Sequence, residues 1–401
     1  MKQVLFVSGS LGLGHVGRDM EIAGALRKLC PDIQISWMAE SPASEVLEKA
    51  GERLLPEANL LYSSNSELEK TTKEYKANLV QWIKNVQKGW KKNAEVYAKI
   101  SETYDFDLWI GDEPYDIMIA LANNPSLKKK PFVVIYDILG IDTNTWNPID
   151  HLVAYMTNKL WLKFLISKIP LADLSLFVGE IEDIPDKNFG FLLPNRRRLA
   201  EKLIKFVGYI VPEDIEDFKD RAYARKLLNY RNDHMLLCSI GGTAAGKGLL
   251  NLCVATYPVI KKKIPDLQMI LVCGPRLATD SIKAPDGIKV VGYVPNLYRH
   301  LGAADLCIVT GGGTITLELT ALRKPFLYFP LKDHFEQESA VASRCKRHNA
   351  GVRMDFSKTT PESLAETVLS NFSKQVNYTT IPTKGAQNAA HLISQILYEK
   401  T

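Results

Sequence analysis

Short, fully apolar runs recur along the chain, each cut off by glycine, proline or a polar loop. Val4-Leu5-Phe6-Val7, Leu108-Trp109-Ile110-Gly111 and Phe132-Val133-Val134-Ile135-Tyr136 are too short for helices and lack the alternation of a half-solvated strand, so they read as buried strands, and Ile33 to Met38, with Gln34 and Ser36 between its apolar residues, reads as another strand. Helical periodicity fills the gaps, first from a glycine loop through about Leu29. That alternation predicts a parallel sheet with helices on both faces. The pattern pauses at Phe206-Val207-Gly208-Tyr209-Ile210-Val211-Pro212-Glu213 and restarts with Leu236 to Ile240, Gln268 to Val272, Lys289 to Val291, Leu306 to Val309 and Pro325 to Phe329. The expected architecture is α/β: two Rossmann-like, doubly wound domains facing a cleft, over residues 1–210 and 211–381, with a helical tail over 382–401. Ligands of such sheets bind outside the carboxyl ends of the strands.

At 401 residues the chain is long enough for two cores. A net charge of +5 suits anionic ligands or an anionic membrane surface and falls short of a nucleic-acid-binding signature. The six cysteines (30, 238, 253, 273, 307, 345) form no CxxC pair and several sit inside apolar strands, so they read as buried reduced thiols of a cytoplasmic protein. Met1-Lys2-Gln3 runs directly into a strand without a signal peptide, and no apolar run is long enough to span a bilayer.

The most informative segment is Val309-Thr310-Gly311-Gly312-Gly313-Thr314-Ile315-Thr316-Leu317-Glu318. A strand runs into three glycines and then into a helix whose first N–H groups are unpaired donors, which makes an anion seat suited to a diphosphate. Glu318 lies one turn behind it, within reach of a ribose. The next strand, Lys324-Pro325-Phe326-Leu327-Tyr328-Phe329-Pro330, ends in Leu331-Lys332-Asp333-His334-Phe335-Glu336-Gln337.

These two segments resemble the donor site of GT-B nucleotide-sugar glycosyltransferases. The likeness is to glycosyltransferase family 28, which includes the lipid-II-forming N-acetylglucosaminyltransferases, and to the related UDP-glycosyltransferases. It covers residues 235–345 and 1–20 well and residues 40–200 thinly. The resemblance implies that Gly311, Gly312, Gly313 and Thr314 hold the diphosphate, that Glu318 binds ribose, and that Glu336 and Gln337 bind sugar hydroxyls. It further implies that Gly242 and Thr243 face donor phosphate and sugar, and that the loop around Tyr293 and Val294 meets the uracil. One departure is Thr310, where many UDP-glycosyltransferases carry His; the diphosphate is then left to backbone donors.

On the N-terminal side, residues 8–18 read Ser-Gly-Ser-Leu-Gly-Leu-Gly-His-Val-Gly-Arg. Gly12-Leu13-Gly14-His15-Val16-Gly17 matches the dinucleotide fingerprint, with Glu40 near the expected acidic position, so an NAD-dependent oxidoreductase is an outside alternative. Against it, Ser8 to Leu11 separate the strand from the first fingerprint glycine, and the seat at 311–318 would go unused. In the resembled families a His at this loop is the general base, a role that falls on His15, with Gly14 beside the donor; the alternative is a His15 that caps the helix or bonds the diphosphate. Asp112, at a strand end facing the same edge, is the candidate to orient His15. Glu113, Asp116 and Asp137 are its rivals, and Asp112 also suits a helix cap.

Two motifs are set aside. Gly241-Gly242-Thr243-Ala244-Ala245-Gly246-Lys247 starts like a P-loop, but Gly248 replaces the Mg²⁺-binding hydroxyl. Asp105-Phe106-Asp107 mimics a metal-binding DxD but precedes a strand and reads as a turn. No metal site and no cofactor are expected; a UDP-sugar is the donor substrate.

Residues 70–99 carry eight lysines and two glutamates. Tyr75, Leu79, Trp82, Ile83, Val86, Trp90 and Tyr97 share one helical face, with Lys73, Lys84, Lys88 and Lys91 opposite. Two readings stand: a helix lying on an anionic membrane, or an ordinary surface helix with its aromatic face on the sheet. Residues 146–170 are apolar with few charges and suit an acceptor groove or a membrane-facing patch. The run Arg196-Arg197-Arg198 suits anionic headgroups or an exposed loop. The expected function is therefore metal-independent, inverting transfer of a sugar from a UDP-sugar to an acceptor hydroxyl, lipid-linked or a small glycoside, with His15 as base. A UDP-sugar hydrolase using His15 to activate water is the main alternative, because the loop Gly-Leu-Gly-His-Val-Gly-Arg also resembles such an enzyme. A non-catalytic nucleotide-sugar-binding subunit is the alternative from outside enzymology.

Overall fold

The computed structural model describes residues 1–9, 13–73, 75–167 and 171–398. Gly12 of the fingerprint, residues 168–170 of the apolar segment and the side chains of Lys73 and Leu79 lie outside the described set. The chain divides into two compact units. The first holds Met1–Thr71, Leu79–Ile210 and Pro382–Thr401, and the second holds Thr72–Asn78 and Val211–Ile381. The division thus departs from a single boundary at 210 by giving Thr72–Asn78 to the second unit.

Fourteen strands are described: β1 (Lys2–Val7), β2 (Ile33–Met38), β3 (Thr72–Lys73), β4 (Lys76–Ala77), β5 (Leu108–Asp112), β6 (Phe132–Tyr136), β7 (Leu174–Val178), β8 (Lys205–Gly208), β9 (Met235–Ser239), β10 (Gln268–Val272), β11 (Ile288–Val291), β12 (Leu306–Thr310), β13 (Phe326–Phe329) and β14 (Val352–Arg353). The first unit carries a six-stranded sheet in the order β2-β1-β5-β6-β7-β8, and the second a six-stranded sheet in the order β11-β10-β9-β12-β13-β14. Neighbours in both sheets pair in parallel, as the continuous apolar runs require of strands buried on both faces. These are two Rossmann-like units.

The topology fixes where ligands meet each sheet. In the first, the chain leaves β1 toward β2 and returns on the other side as β5, so the switch point lies between β1 and β5. In the second it lies between β9 and β12. The core of the first unit joins Val4, Phe6 and Ile110 to Val16, Ile22 and Leu26 of the helix Gly14–Leu29. The helix Gly385–Tyr398 closes it with Ala386, Ala389, Ala390, Ile393 and Leu397, whose small alanines allow a close approach.

The expected helix over 70–99 is two helices, Ser64–Thr71 and Leu79–Thr103, split by the β3–β4 hairpin. Periodicity alone cannot see this break, because Tyr75 keeps its helical spacing while its backbone adopts a left-handed φ of 66°. In Leu79–Thr103 the aromatic face is buried at Trp82, Trp90 and Tyr97, while Lys84, Lys88 and Lys91 are exposed. The ordinary surface-helix reading holds, and the membrane-lying reading is corrected: the helix has no apolar face left for a bilayer. The arginine run is corrected as well. Arg196 is buried on Asp142 and the Ile141 carbonyl, and Arg197 donates to the Ile184 carbonyl, so only Arg198 is exposed.

Candidate functional site

In the first unit the helix Gly14–Leu29 starts just beyond β1, beside the carboxyl ends of β5 and β6. Gly14 opens it and His15 sits in its first turn. His15 Nδ1 lies 2.8 Å from Asp112 Oδ2, and Asp112, the last residue of β5, is wholly buried. Arg18, one turn after His15, directs Nε to Asp112 Oδ2 at 3.0 Å and Nη2 to Asp112 Oδ1 at 2.5 Å, and bonds Asp137 through Nη1. Burial pushes the Asp112 carboxyl up, but Arg18 and then His15 outweigh it and hold it below the usual carboxylate range. Asp137 is likewise held down, with burial opposed by Arg18.

Arg18 Nη2 also lies 2.7 Å from His15 Nδ1 and competes for that nitrogen. A guanidinium is donor-only and an ionised carboxylate is acceptor-only. The ionised Asp112 can only accept, so its 2.8 Å contact puts the hydrogen on Nδ1 and leaves Nε2 with its lone pair. This is the orientation a general base requires. The His15 side chain is 13% exposed.

Sequence reasoning gave no role to Arg18 or to Asp19. The latter is wholly buried, accepts from Ser8 Oγ at 2.6 Å, and has its pKa pushed up by burial and then by Asp112. Their signal is the i+3 and i+4 spacing from His15, which puts polar side chains on the face turned to the strand ends. The rivals of Asp112 separate clearly. Asp116 accepts from Asn93 Nδ2, and Asp137 serves Arg18. Glu113 has its pKa raised by burial and then by Asp137, and its buried Oε1 has no hydrogen-bond partner. Glu40, the fingerprint acid, is buried with Oε2 accepting from Ser64 N at 2.5 Å, so it is not free for a ribose.

In the second unit the loops after β9 and β12 flank the switch point. Gly311 N donates to the Phe329 carbonyl at 2.9 Å, tying the end of β12 to the end of β13. A Cβ on Gly311 would lie 2.8 Å from Pro330 Cα and 3.1 Å from Gln337 Oε1, so the turn admits only glycine. Gly312 precedes the helix Gly313–Ala321 without a side-chain cap, which leaves the first N–H groups, from Gly313, Thr314 and Ile315, without partners inside the helix. Arg344 Nη2 donates to the Gly313 carbonyl and to Thr316 Oγ1, bringing a cation to this helix start that sequence reasoning did not single out. Glu318 is half-buried one turn in.

Glu336 and Gln337 begin a π-helical turn, Glu336–Val341. Gln337 Oε1 accepts from Leu331 N at 2.9 Å, so its oxygen is engaged by the backbone. Glu336 Oε1 stands 3.4 Å from where a Gly313 Cβ would be, beside the helix start. Gly242 and Thr243 lie in the loop after β9, and that loop touches the glycine turn: a Cβ on Gly246 would come within 2.9 Å of Thr310 Cγ2. Tyr293 and Val294 follow β11, which β10 and β9 separate from β12. Three strand spacings of roughly 4.8 Å place that loop about 14 Å along the same edge, comparable with an extended nucleoside diphosphate. The structure thus gathers His15 and Asp112 in one unit, and the glycine turn, the acid–amide pair and the post-β9 loop in the other.

Residues 236–396 match the glycosyltransferase family 28 C-terminal domain. Among curated relatives, an uncharacterized glycosyltransferase of Methanopyrus kandleri is 24% identical over 197 residues, 48% of this chain and 55% of that one. A UDP-N-acetylglucosamine–N-acetylmuramyl-(pentapeptide) pyrophosphoryl-undecaprenol N-acetylglucosamine transferase of Geobacillus thermodenitrificans is 28% identical over 31% of this chain and 35% of its own. A processive diacylglycerol beta-glucosyltransferase of Bacillus cereus is 32% identical over 32% and 34%. The chain thus spans from about a third to about half the length of these relatives. Among solved structures, the glycotransferase of kitacinnamycin superposes with a TM-score of 0.61 at 16% identity, covering 99% of both chains, and MurG of Acinetobacter baumannii with 0.53 at 15%, again over 99% of both. At such identities the structures speak for the fold. The second unit thus carries a match to the family 28 C-terminal domain, and the whole chain shares the fold of these glycosyltransferase structures.

Proposed function

We propose that this protein transfers a sugar from a UDP-sugar to an acceptor hydroxyl with inversion at the anomeric carbon. The observation that carries the proposal is the buried Asp112 carboxylate on His15 Nδ1, which leaves Nε2 as a base. His15 Nε2 takes the proton of the acceptor O–H as that oxygen bonds the anomeric carbon. The bond from that carbon to the diphosphate breaks, and UDP leaves with its electron pair. The unpaired N–H groups at the start of the helix Gly313–Ala321 suit the charge that develops on the leaving group, a task that needs no metal. Glu318 is assigned to ribose, Glu336 to the sugar with Gln337 beside it, Gly14, Gly242 and Thr243 to the donor, and the Tyr293–Val294 loop to the base.

One relative is named for a UDP-sugar donor and both are named for lipid acceptors, which supports extending both classes to this chain. The surface supports a lipid acceptor too. Ile149, Leu152, Met156 and Leu160 form an exposed stripe on the helix Pro148–Leu165, with Lys159 and Lys163 on the same side. Trp146 is fully exposed before it, and Phe191 and Leu192 are 80% and 85% exposed in a loop that Tyr155 Oη touches at the Phe191 carbonyl. Apolar side chains flanked by lysines suit peripheral contact with an anionic membrane from the cytoplasmic side. No helix among the described residues is long and apolar enough to cross a bilayer.

Calorimetric titration with UDP, TDP and NAD tests the donor assignment. Binding of UDP that weakens on Glu318→Ala is expected; binding of NAD alone would overturn it.

A further inference from the structure

The β3–β4 hairpin is a seven-residue excursion, Thr72–Asn78, that belongs to the second unit although the helices on either side of it belong to the first. At its tip Tyr75 is buried, with a φ of 66° that bulky residues seldom adopt. A left-handed, buried tyrosine persists only where its surroundings hold it, and three contacts do so.

Its hydroxyl donates to the Phe329 carbonyl at 2.9 Å, the same oxygen that accepts from Gly311 N. Its carbonyl accepts from Lys332 N at 3.1 Å, while Ala77 N donates to the Lys332 carbonyl at 2.9 Å, so the hairpin adds a short strand-like rung to the loop leading to Glu336. Its ring stacks on Phe356 with centroids 4.2 Å apart, and Phe356 presses on Gly248, just behind the Gly242–Thr243 loop, where a Cβ would meet its ring at 2.9 Å. Tyr75 therefore bonds the strand end behind the Gly311 turn through its hydroxyl and the 331–337 loop through its backbone, and its ring reaches Gly248, behind the Gly242–Thr243 loop, through Phe356.

We propose that Tyr75 is a positioning residue for the donor site: its hydroxyl holds the strand end that carries the Gly311 turn, its backbone holds the 331–337 loop, and its ring, through Phe356, backs the helix that follows the Gly242–Thr243 loop. This rests on the donor reading above. The Phe329 carbonyl has two lone pairs, one for Gly311 and one for Tyr75. Without the phenol, the strand end that carries the glycine turn loses one of the two anchors on that oxygen, and the N–H groups facing the diphosphate lose their fixed aim. Preorganised donors bind an anion more tightly than donors that must be ordered on binding.

The test uses the full chain with Tyr75→Phe, which keeps the stack and removes the hydroxyl. UDP affinity is measured by calorimetry, and amide hydrogen exchange is followed over residues 309–316 and over a remote reference such as β10. The expected result is UDP affinity weaker on the order of fivefold, the scale of one net hydrogen bond, with faster exchange at 309–316 and unchanged exchange at β10. Unchanged affinity with unchanged exchange at 309–316 overturns the proposal, as does uniform acceleration everywhere, which marks a merely structural residue. Should Tyr75→Phe not fold, Phe356→Leu, which keeps the hydroxyl and removes the stack, is read by the same two measurements. If the wild-type chain binds no UDP, the donor reading fails, and the exchange at 309–316 still decides whether Tyr75 positions the turn.

Discussion

The Nδ1 atom of His15 lies 2.8 Å from the carboxylate of Asp112, although 97 residues separate them in the chain. The parallel pairing of β1 with β5 brings them together: Val7 is in register with Gly111, so the residue after Gly111 points its carboxylate at the helix that follows β1. Arg18 then fixes both oxygens of that carboxylate. Without the guanidinium, a wholly buried aspartate would take up a proton and release the imidazole.

Asp112→Asn tests this relationship. The amide can donate to Nδ1, which favours the tautomer whose Nε2 carries a hydrogen and cannot accept one. Turnover is expected to fall by roughly a hundred- to ten-thousandfold, with UDP affinity unchanged, as read by steady-state kinetics and calorimetry on the same preparation. A loss below tenfold would count against the dyad.

Gly311→Ala probes the seat. The added methyl would stand 2.8 Å from a backbone atom of Pro330, which cannot move aside as a flexible side chain could. The turn must open and carry the helix start with it. UDP binding is expected to fall below detection by calorimetry, while His15 stays in its contact with Asp112. Retention of wild-type affinity would move the diphosphate elsewhere.

Glu40 gives a pH signature of stability. Burial, only partly offset by the Ser64 hydrogen bonds, pushes its pKa up to about 8, against about 4.3 in an unfolded chain. The folded state then holds a proton that the unfolded state releases. The stabilising contribution is complete below the unfolded value and is lost as pH rises through about 8. Glu40→Gln keeps an acceptor for Ser64 N and removes the titration. Melting temperatures from pH 5 to pH 9 should show the wild type falling relative to the variant; parallel curves would contradict this.

The exposed stripe is tested by sedimentation with vesicles. Leu152→Glu with Met156→Glu places two charges where 60% and 56% of the side chains face solvent, so the fold should be indifferent. Binding to vesicles containing anionic lipid is expected to drop at least tenfold, and to fall with salt because Lys159 and Lys163 contribute. Equal sedimentation of both proteins would remove the membrane from the picture.

How much of this was legible in the sequence differs by residue. The glycine turn and His15 were visible because their chemistry needs neighbours in the chain: a strand, small residues and a helix start lie within ten positions. Asp112 was one of four carboxylates near strand ends, and only the register of β5 separates it from Glu113 and Asp137. Arg18 sits in the same motif as His15, yet its role depends on two aspartates from other strands. β7 was missed because Ser175 interrupts its short apolar run, although Gly179 follows it directly. The hairpin at 72–77 escaped for a different reason. Its apolar residues keep helical spacing, and the contacts that hold the chain out of a helix, with β13, Lys332 and Phe356, come from residues far along the chain.

The central claim is sugar transfer from a UDP-sugar, and the most direct measurement is UDP release from a panel of UDP-sugars, with and without lipid and small-glycoside acceptors, for the wild type and His15→Ala. The expected result is acceptor-dependent UDP release by the wild type that His15→Ala lowers at least a hundredfold. Rapid release in water alone, equal with or without any acceptor, would contradict transfer and identify a hydrolase.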